Sequence, residues 1–167
     1  MKSNLILTGM PGAGKSTVGV VLAKVLGYDF LDLDILIAKE QGRPIQEILD
    51  IQGVEAFLAI EEAAGISLQV EKTVLAPGGS IVLSPPAMAN LKQNGLCVYL
   101  EVPLEELRKR LTHSMDSRGI AAPPGVTLED IFAMRRPLYE RYADLTIPCA
   151  GKCLEQVVAA ILEEIKP

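Results

Sequence analysis

Residues 4–17 read Asn4-Leu5-Ile6-Leu7-Thr8-Gly9-Met10-Pro11-Gly12-Ala13-Gly14-Lys15-Ser16-Thr17. A short apolar run leads into a glycine-rich turn, and a lysine with two hydroxyl residues then opens an amphipathic stretch. This is the strand, loop and helix order of a Walker A phosphate cradle, and no other feature restricts the fold as much. Gly9, Gly12 and Gly14 leave room for successive amides to point at phosphate oxygens, and the positive end of the helix adds to the same anion site. Within the segment Gly12, Ala13, Gly14, Lys15, Ser16 and Thr17, Lys15 reaches the last two phosphates of a nucleotide and Ser16 offers its hydroxyl to Mg2+.

With 167 residues, 49% of them hydrophobic and 22% charged, the chain suffices for a single domain, 1–167, with its own core. The formal charge of -5 argues against a nucleic-acid partner. Arg108, Lys109, Arg110, Arg118, Arg135, Arg136 and Arg141 nevertheless crowd into one stretch. Such a local cluster suits a small phosphorylated ligand better than a polymer. Cys97, Cys149 and Cys153 come with no secretory leader, no apolar run is long enough to span a bilayer, and no His or Asp cluster completes a metal site around Cys149 and Cys153. The expectation is a cytoplasmic protein with no membrane partner, and a monomer, because no heptad pattern demands a second chain.

Leu5 to Thr8 reads as a central parallel strand, and residues 15–26 as a helix stopped by Gly27. Tyr28 to Asp34 looks like a second strand. Alternation then puts Asp32 and Asp34 on one side of it, one to assist a water shell around Mg2+ and the other to address a substrate hydroxyl. Helical patterns between 34 and 70 interrupt the simplest βαβ rhythm and form a candidate acceptor-binding segment. Thr73 to Ala76 is the next strand, and the Gly78-Gly79 pair follows at its carboxyl end, the edge that borders the ligand crevice in an open α/β sheet. Gly95 reads as a turn before a buried strand from Cys97 to Leu100. Pro103 opens a helix that places Arg108 and Arg110 near phosphates. Residues 112–126 have the composition of a lid that excludes water, with Arg118 to stabilise charge on a transferring group. Leu128 to Tyr142 is helical, bent or broken at Pro137, with one of Arg135 and Arg136 facing the cleft and the other solvent.

Taken together, Gly9 to Gly19, Asp32-Leu33-Asp34, Gly78-Gly79, the arginine-bearing 112–126 stretch and Arg135-Arg136-Pro137-Leu138-Tyr139 resemble the shikimate kinase family of P-loop kinases. The resemblance implies an α/β three-layer fold with a five-stranded parallel sheet ordered 2-3-1-4-5 and helices on both faces. It implies ATP and Mg2+ as cofactors and phosphoryl transfer from ATP to the 3-hydroxyl of shikimate, a step in aromatic amino acid biosynthesis. By the same resemblance Lys15 binds phosphate, Ser16 ligates Mg2+, Asp32 holds metal-bound water and Asp34 meets the acceptor hydroxyls. Gly78 and Gly79 match the glycine-rich stretch after strand three. Arg110 matches the arginine that packs over adenine, Arg118 the lid arginine on the transferring phosphate, and Arg135 the arginine on the substrate carboxylate.

One departure falls on the acceptor. Leu58, with Ala59 beside it, occupies the position after Phe57 where the family carries an arginine for the shikimate carboxylate, and an apolar side chain cannot make that bidentate contact. Two rivals therefore stand beside shikimate phosphorylation: a kinase for another small hydroxyl compound such as a sugar acid or nucleoside, and a nucleotide-binding regulatory protein without catalysis.

Overall fold

The computed structural model describes residues 2–113 and 120–166. Five strands, β1 (Asn4–Thr8), β2 (Asp29–Asp32), β3 (Thr73–Ala76), β4 (Gly95–Glu101) and β5 (Leu145–Pro148), pair in parallel in the order β2-β3-β1-β4-β5. The order expected from the family resemblance is the observed one. Every residue of β1 is buried, as a central parallel strand requires when helices cover both faces of the sheet. The helices are α1 (Lys15–Leu26), α2 (Leu33–Gln41), α3 (Ile45–Gln52), α4 (Val54–Ser67), α5 (Pro85–Gln93), α6 (Leu104–His113), α7 (Leu128–Tyr142) and α8 (Leu154–Glu164). Helices α1 and α8 pack on each other, while α5 and α7 both reach β4. The core is a continuous set including Ile6, Leu7, Leu22, Val74, Val98 and Ile161. No described helix is long and apolar enough to cross a membrane.

The topology decides where a ligand can sit. β1 lies between β3 and β4, so the crossover from β1 to β2 and that from β3 to β4 run in opposite directions and open a crevice at the carboxyl ends of β1 and β3. The loop of residues 9–14 emerges there, and β3 delivers the Gly78-Gly79 pair to the same edge.

Three expectations are corrected. The extended segment ends at Asp32, not Asp34. The Asp32 side chain accepts a hydrogen bond from the Ile35 amide at 3.1 Å and thereby starts α2, which places Asp34 in the first helical turn. The alternation argument for the two carboxylates therefore fails, although both still line one cavity. Helix α7 runs unbroken through Pro137. The missing proline N–H forgoes one internal bond, while Arg135 and Tyr139, both buried, hold the helix on either side of it.

Gly95 is no turn residue but the buried first residue of β4, paired with Asn4. A Cβ there would lie 2.4 Å from Ile6 Cδ1 and 2.6 Å from the Leu91 carbonyl oxygen. Gly95→Ala is accordingly expected to destabilise the fold by about 1–3 kcal/mol, read as a lower urea midpoint at unchanged slope. A wild-type midpoint would contradict this packing.

Candidate active site

A cavity of about 300 Å³ opens at the carboxyl edge of the sheet, between the loop of residues 9–14, the start of α2, the Gly78-Gly79 pair and Arg135 of α7. Its first half is the phosphate cradle. Lys15, only 9% exposed, donates to the carbonyls of Gly9 and Met10 at 2.8 Å each, which fixes its ammonium under the loop. Gly12, Gly14, Lys15, Ser16 and Thr17 line the cavity, while Ala13 is buried behind them in the core. The Ser16 hydroxyl donates to Asp32 Oδ2 at 2.6 Å. A hydroxyl and a carboxylate oxygen meeting beside a phosphate loop are the hard donors that Mg2+ takes together with retained waters, so these residues fit that ion. Arg110 donates from Nη1 to the Gly12 carbonyl at 3.1 Å, placing its guanidinium on the outer side of the loop.

The second half is built around Gly78. This residue is buried at φ +89°, and a Cβ on it would stand 3.1 Å and 3.3 Å from the two carboxylate oxygens of Asp34 and 3.4 Å from Glu61 Oε2. Only a residue without a side chain lets two carboxyl groups approach the same backbone atom. Asp34 Oδ1 is buried and makes no hydrogen bond. Burial first, and then the charge of Asp32, push the Asp34 carboxyl up to about 6, with Lys15 opposing the shift. An acceptor-only group held in this way, open to the cavity, is suited to taking a hydrogen bond from an incoming hydroxyl.

Arg135 completes the site. It is 2% exposed, its Nη2 donates to the Ala121 carbonyl at 2.6 Å, its Nε has no partner, and it forms no ion pair within 4.0 Å among the described residues. The Tyr139 hydroxyl donates to the Gly79 carbonyl at 2.6 Å, and the Tyr139 ring stacks on Tyr99 at 5.3 Å, so α7 is tied to the glycine pair. Arg136 points outward, paired with Glu140 at 2.8 Å and lying over the Phe132 ring. One arginine thus faces the cleft and its neighbour solvent.

The basic cluster contributes less than its density suggested. Arg108 is corrected: it pairs with Glu105 at 2.8 Å and with Glu129 instead of facing phosphate. Arg118 and Gly119 lie outside the described residues. Of the 112–126 stretch, Ile120 and Ala121 line the cavity. Leu58 packs against the core, and the cavity lining includes Phe57 but not Leu58.

Glu61 was not singled out from the sequence. Phe57, Glu61 and Gly65 are the buried residues of α4, at i, i+4 and i+8, so a carboxyl on the apolar stripe of that helix was the available signal. Ser80 Oγ lies 2.7 Å and 2.9 Å from its two oxygens. Burial, with Asp34 adding to it against Ser80, Arg135 and Lys15, pushes the Glu61 carboxyl up to about 8.

The comparisons agree with this architecture. The family model described as shikimate kinase matches residues 11–166. A shikimate kinase of Synechococcus sp. (strain RCC307) is 39% identical over 166 residues, covering 98% of this chain and 84% of that one. A shikimate kinase of Haemophilus influenzae is 39% identical over 168 residues, covering 98% of this chain and 93% of its own. The structure of shikimate kinase from Acinetobacter baumannii in complex with shikimate superposes with a TM-score of 0.85 at 32% identity, over 98% of this chain and 92% of that one. A Walker A loop, a pocket lined by Asp34 and Arg135 beside it, and full-length similarity coincide in one molecule: the chain belongs to the shikimate kinase family, ATP-dependent phosphotransferases with an alcohol group as acceptor.

Proposed function

We propose that this chain transfers the γ-phosphate of ATP to the 3-hydroxyl of shikimate. The observation that carries the reading is Arg135, a buried guanidinium without an ion-pair partner among the described residues, in the same cavity as Asp34 and the phosphate loop. A buried cation in this state favours an anionic ligand group, and planar bidentate donors match a carboxylate. The shikimate bound to the Acinetobacter relative supports the same acceptor.

In this reading the amides of Gly12, Ala13 and Gly14, with Lys15, hold the terminal phosphates, and Arg110 covers the adenine. Ser16 directly and Asp32 through water would hold Mg2+, which when bound neutralises charge on the phosphates. Asp34 orients the hydroxyl and accepts its proton, Gly78 and Gly79 give the acceptor a close backbone wall, and Arg135 binds its carboxylate. Arg118, by its place in the sequence, stabilises the transferring phosphoryl group. Residues 34–70 act as the acceptor-binding segment, because Asp34 and Phe57, which line the cavity, come from it, and 112–126 as the lid. The cysteines, all free, are in keeping with a reducing, cytoplasmic setting. Catalysis by positioning and charge stabilisation is what phosphoryl transfer needs.

The test is an ATP-coupled assay with shikimate and a panel of small hydroxy acids, sugars and nucleosides, with mass detection of the product. Phosphorylated shikimate is the expected result. Transfer to another compound and none to shikimate would keep the kinase chemistry and reassign the acceptor, with Leu58 as the reason. Nucleotide binding without turnover on the whole panel would favour a regulatory protein. Arg135→Lys, which keeps the charge but not the planar fork, should raise the shikimate KM about tenfold with little change in kcat. A rise in KM below twofold would remove Arg135 from the acceptor site.

A further inference from the structure

Glu61 has no task in the chemistry above, yet it is 2% exposed and adjoins the acceptor half of the site. The groups that face it come from every side. Ser80 approaches from the loop after β3, Asp34 from α2, Arg135 and Tyr139 from α7, and Lys15 from α1. On its own helix Leu58, one turn earlier, carries no charge, and Glu62 is engaged by the Ser84 hydroxyl. Two acids, Asp34 and Glu61, therefore stand beside one acceptor-side guanidinium. A carboxylate docking on Arg135 becomes a third anionic group, and like charges this close repel strongly away from water.

We infer that Glu61 is a specificity-determining positioning residue: it must be neutral for a carboxylate-bearing acceptor to dock on Arg135. The inference rests on the reading of shikimate as acceptor. The Cβ position of Gly78 is 3.4 Å from Glu61 Oε2 and that of Gly79 is 3.3 Å from Arg135 Nη1. The acid and the guanidinium thus flank consecutive residues of one turn, and the charge of one is felt at the ligand site of the other. Ser80 Oγ, close to both Glu61 oxygens, can donate to one and accept from the protonated other, so the neutral acid keeps its partner. The raised pKa of Glu61, about 8, leaves the neutral form populated at pH 7. Where Glu61 is ionised, docking of the acceptor takes one proton from solvent and leaves it on the Glu61 carboxyl.

Titration calorimetry on the full chain tests this, with shikimate and its uncharged methyl ester at pH 7, 8 and 9, each in two buffers of different ionisation enthalpy. The shikimate Kd is expected to weaken about tenfold between pH 7 and 9, with proton uptake at pH 8, as for a ligand that binds one protonation state. The ester should bind independently of pH, and Glu61→Gln should flatten the shikimate profile. A pH-independent shikimate Kd without proton uptake, the same slope for the ester, or a slope that survives in Glu61→Gln would each overturn the inference. Should Glu61→Gln fail to fold, the wild-type proton uptake and the ester decide alone. Shikimate that is bound and phosphorylated with a flat profile removes the role of Glu61 only. Shikimate that neither binds nor reacts at any pH removes the acceptor reading, and this inference with it.

Discussion

Asp34→Asn is expected to lose about 10²–10⁴-fold in kcat at saturating acceptor, the usual worth of a positioned general base, while its melting temperature rises. The two effects share one cause. Asp34 Oδ1 is buried without a hydrogen bond, and the carboxylate is held against burial and the nearby Asp32. Such a group is costly to the fold, and in the proposed reaction an acceptor hydroxyl would find an unsatisfied acceptor atom waiting for it. Asparagine has the same shape and removes the charge, so it relieves the folded state. Its amide can still hydrogen-bond to a hydroxyl but cannot take its proton, so KM should move less than kcat. Steady-state kinetics with a coupled assay and a thermal melt of the same preparation check both halves. A variant with wild-type kcat would mean that Asp34 neither orients the hydroxyl nor accepts its proton, and a lowered melting temperature would mean that the buried oxygen is satisfied.

The parts of the site legible in the sequence are those where local geometry and chemistry coincide. Gly12 to Thr17 must be loop followed by helix for the amides to converge, and α1 begins at Lys15 as that requires. Strand β3 is recognisable from its four apolar or β-branched residues, all buried, and the glycine pair after it could only lie at the crevice edge. The sheet order came from family likeness, since periodicity carries no information about which strands are neighbours.

The misreadings are also physical. Around Asp32 the alternation of Leu31, Asp32, Leu33 and Asp34 imitates a strand, whereas the cap bond from Ile35 and the burial of Leu33 and Ile37, four apart, favour the helix. Gly95 looked like a turn because its tertiary reason, the Ile6 side chain and the Leu91 carbonyl packed against it, lies outside any local window. Arg108 and Arg110 are two apart on one helix, and only three-dimensional placement separates the one that meets Glu129 from the one that meets the phosphate loop. Glu61 was lost among the acidic residues of α4, although its place on the buried stripe with Phe57 marked it out.

That placement makes the alkaline side of the stability profile the second large expected effect. In the unfolded chain Glu61 titrates near its ordinary value of 4.5, and in the folded protein near 8. Between those values the folded state binds the extra proton, so stability falls as pH rises, by up to about 1.4 kcal/mol per pH unit. The contribution of Glu61 is fully present below pH 4.5 and lost as pH passes through about 8. Asp34 acts in the same direction, from 3.8 to about 6. Glu129 and Asp130, whose carboxyls are held below their ordinary values, act oppositely but are exposed at the start of α7. Glu61→Gln imitates the neutral acid and keeps a partner for Ser80, so it should lie within about 1 kcal/mol of wild type at pH 5 and exceed it at pH 8 by roughly 3–5 kcal/mol, on the order of 10 °C in melting temperature. Thermal melts of both proteins from pH 5 to 9 give the result directly. Parallel curves would show that Glu61 is ionised in the folded protein throughout. A variant that is less stable at every pH would show instead that the charged carboxylate, in the field of Arg135 and Lys15, supports the fold.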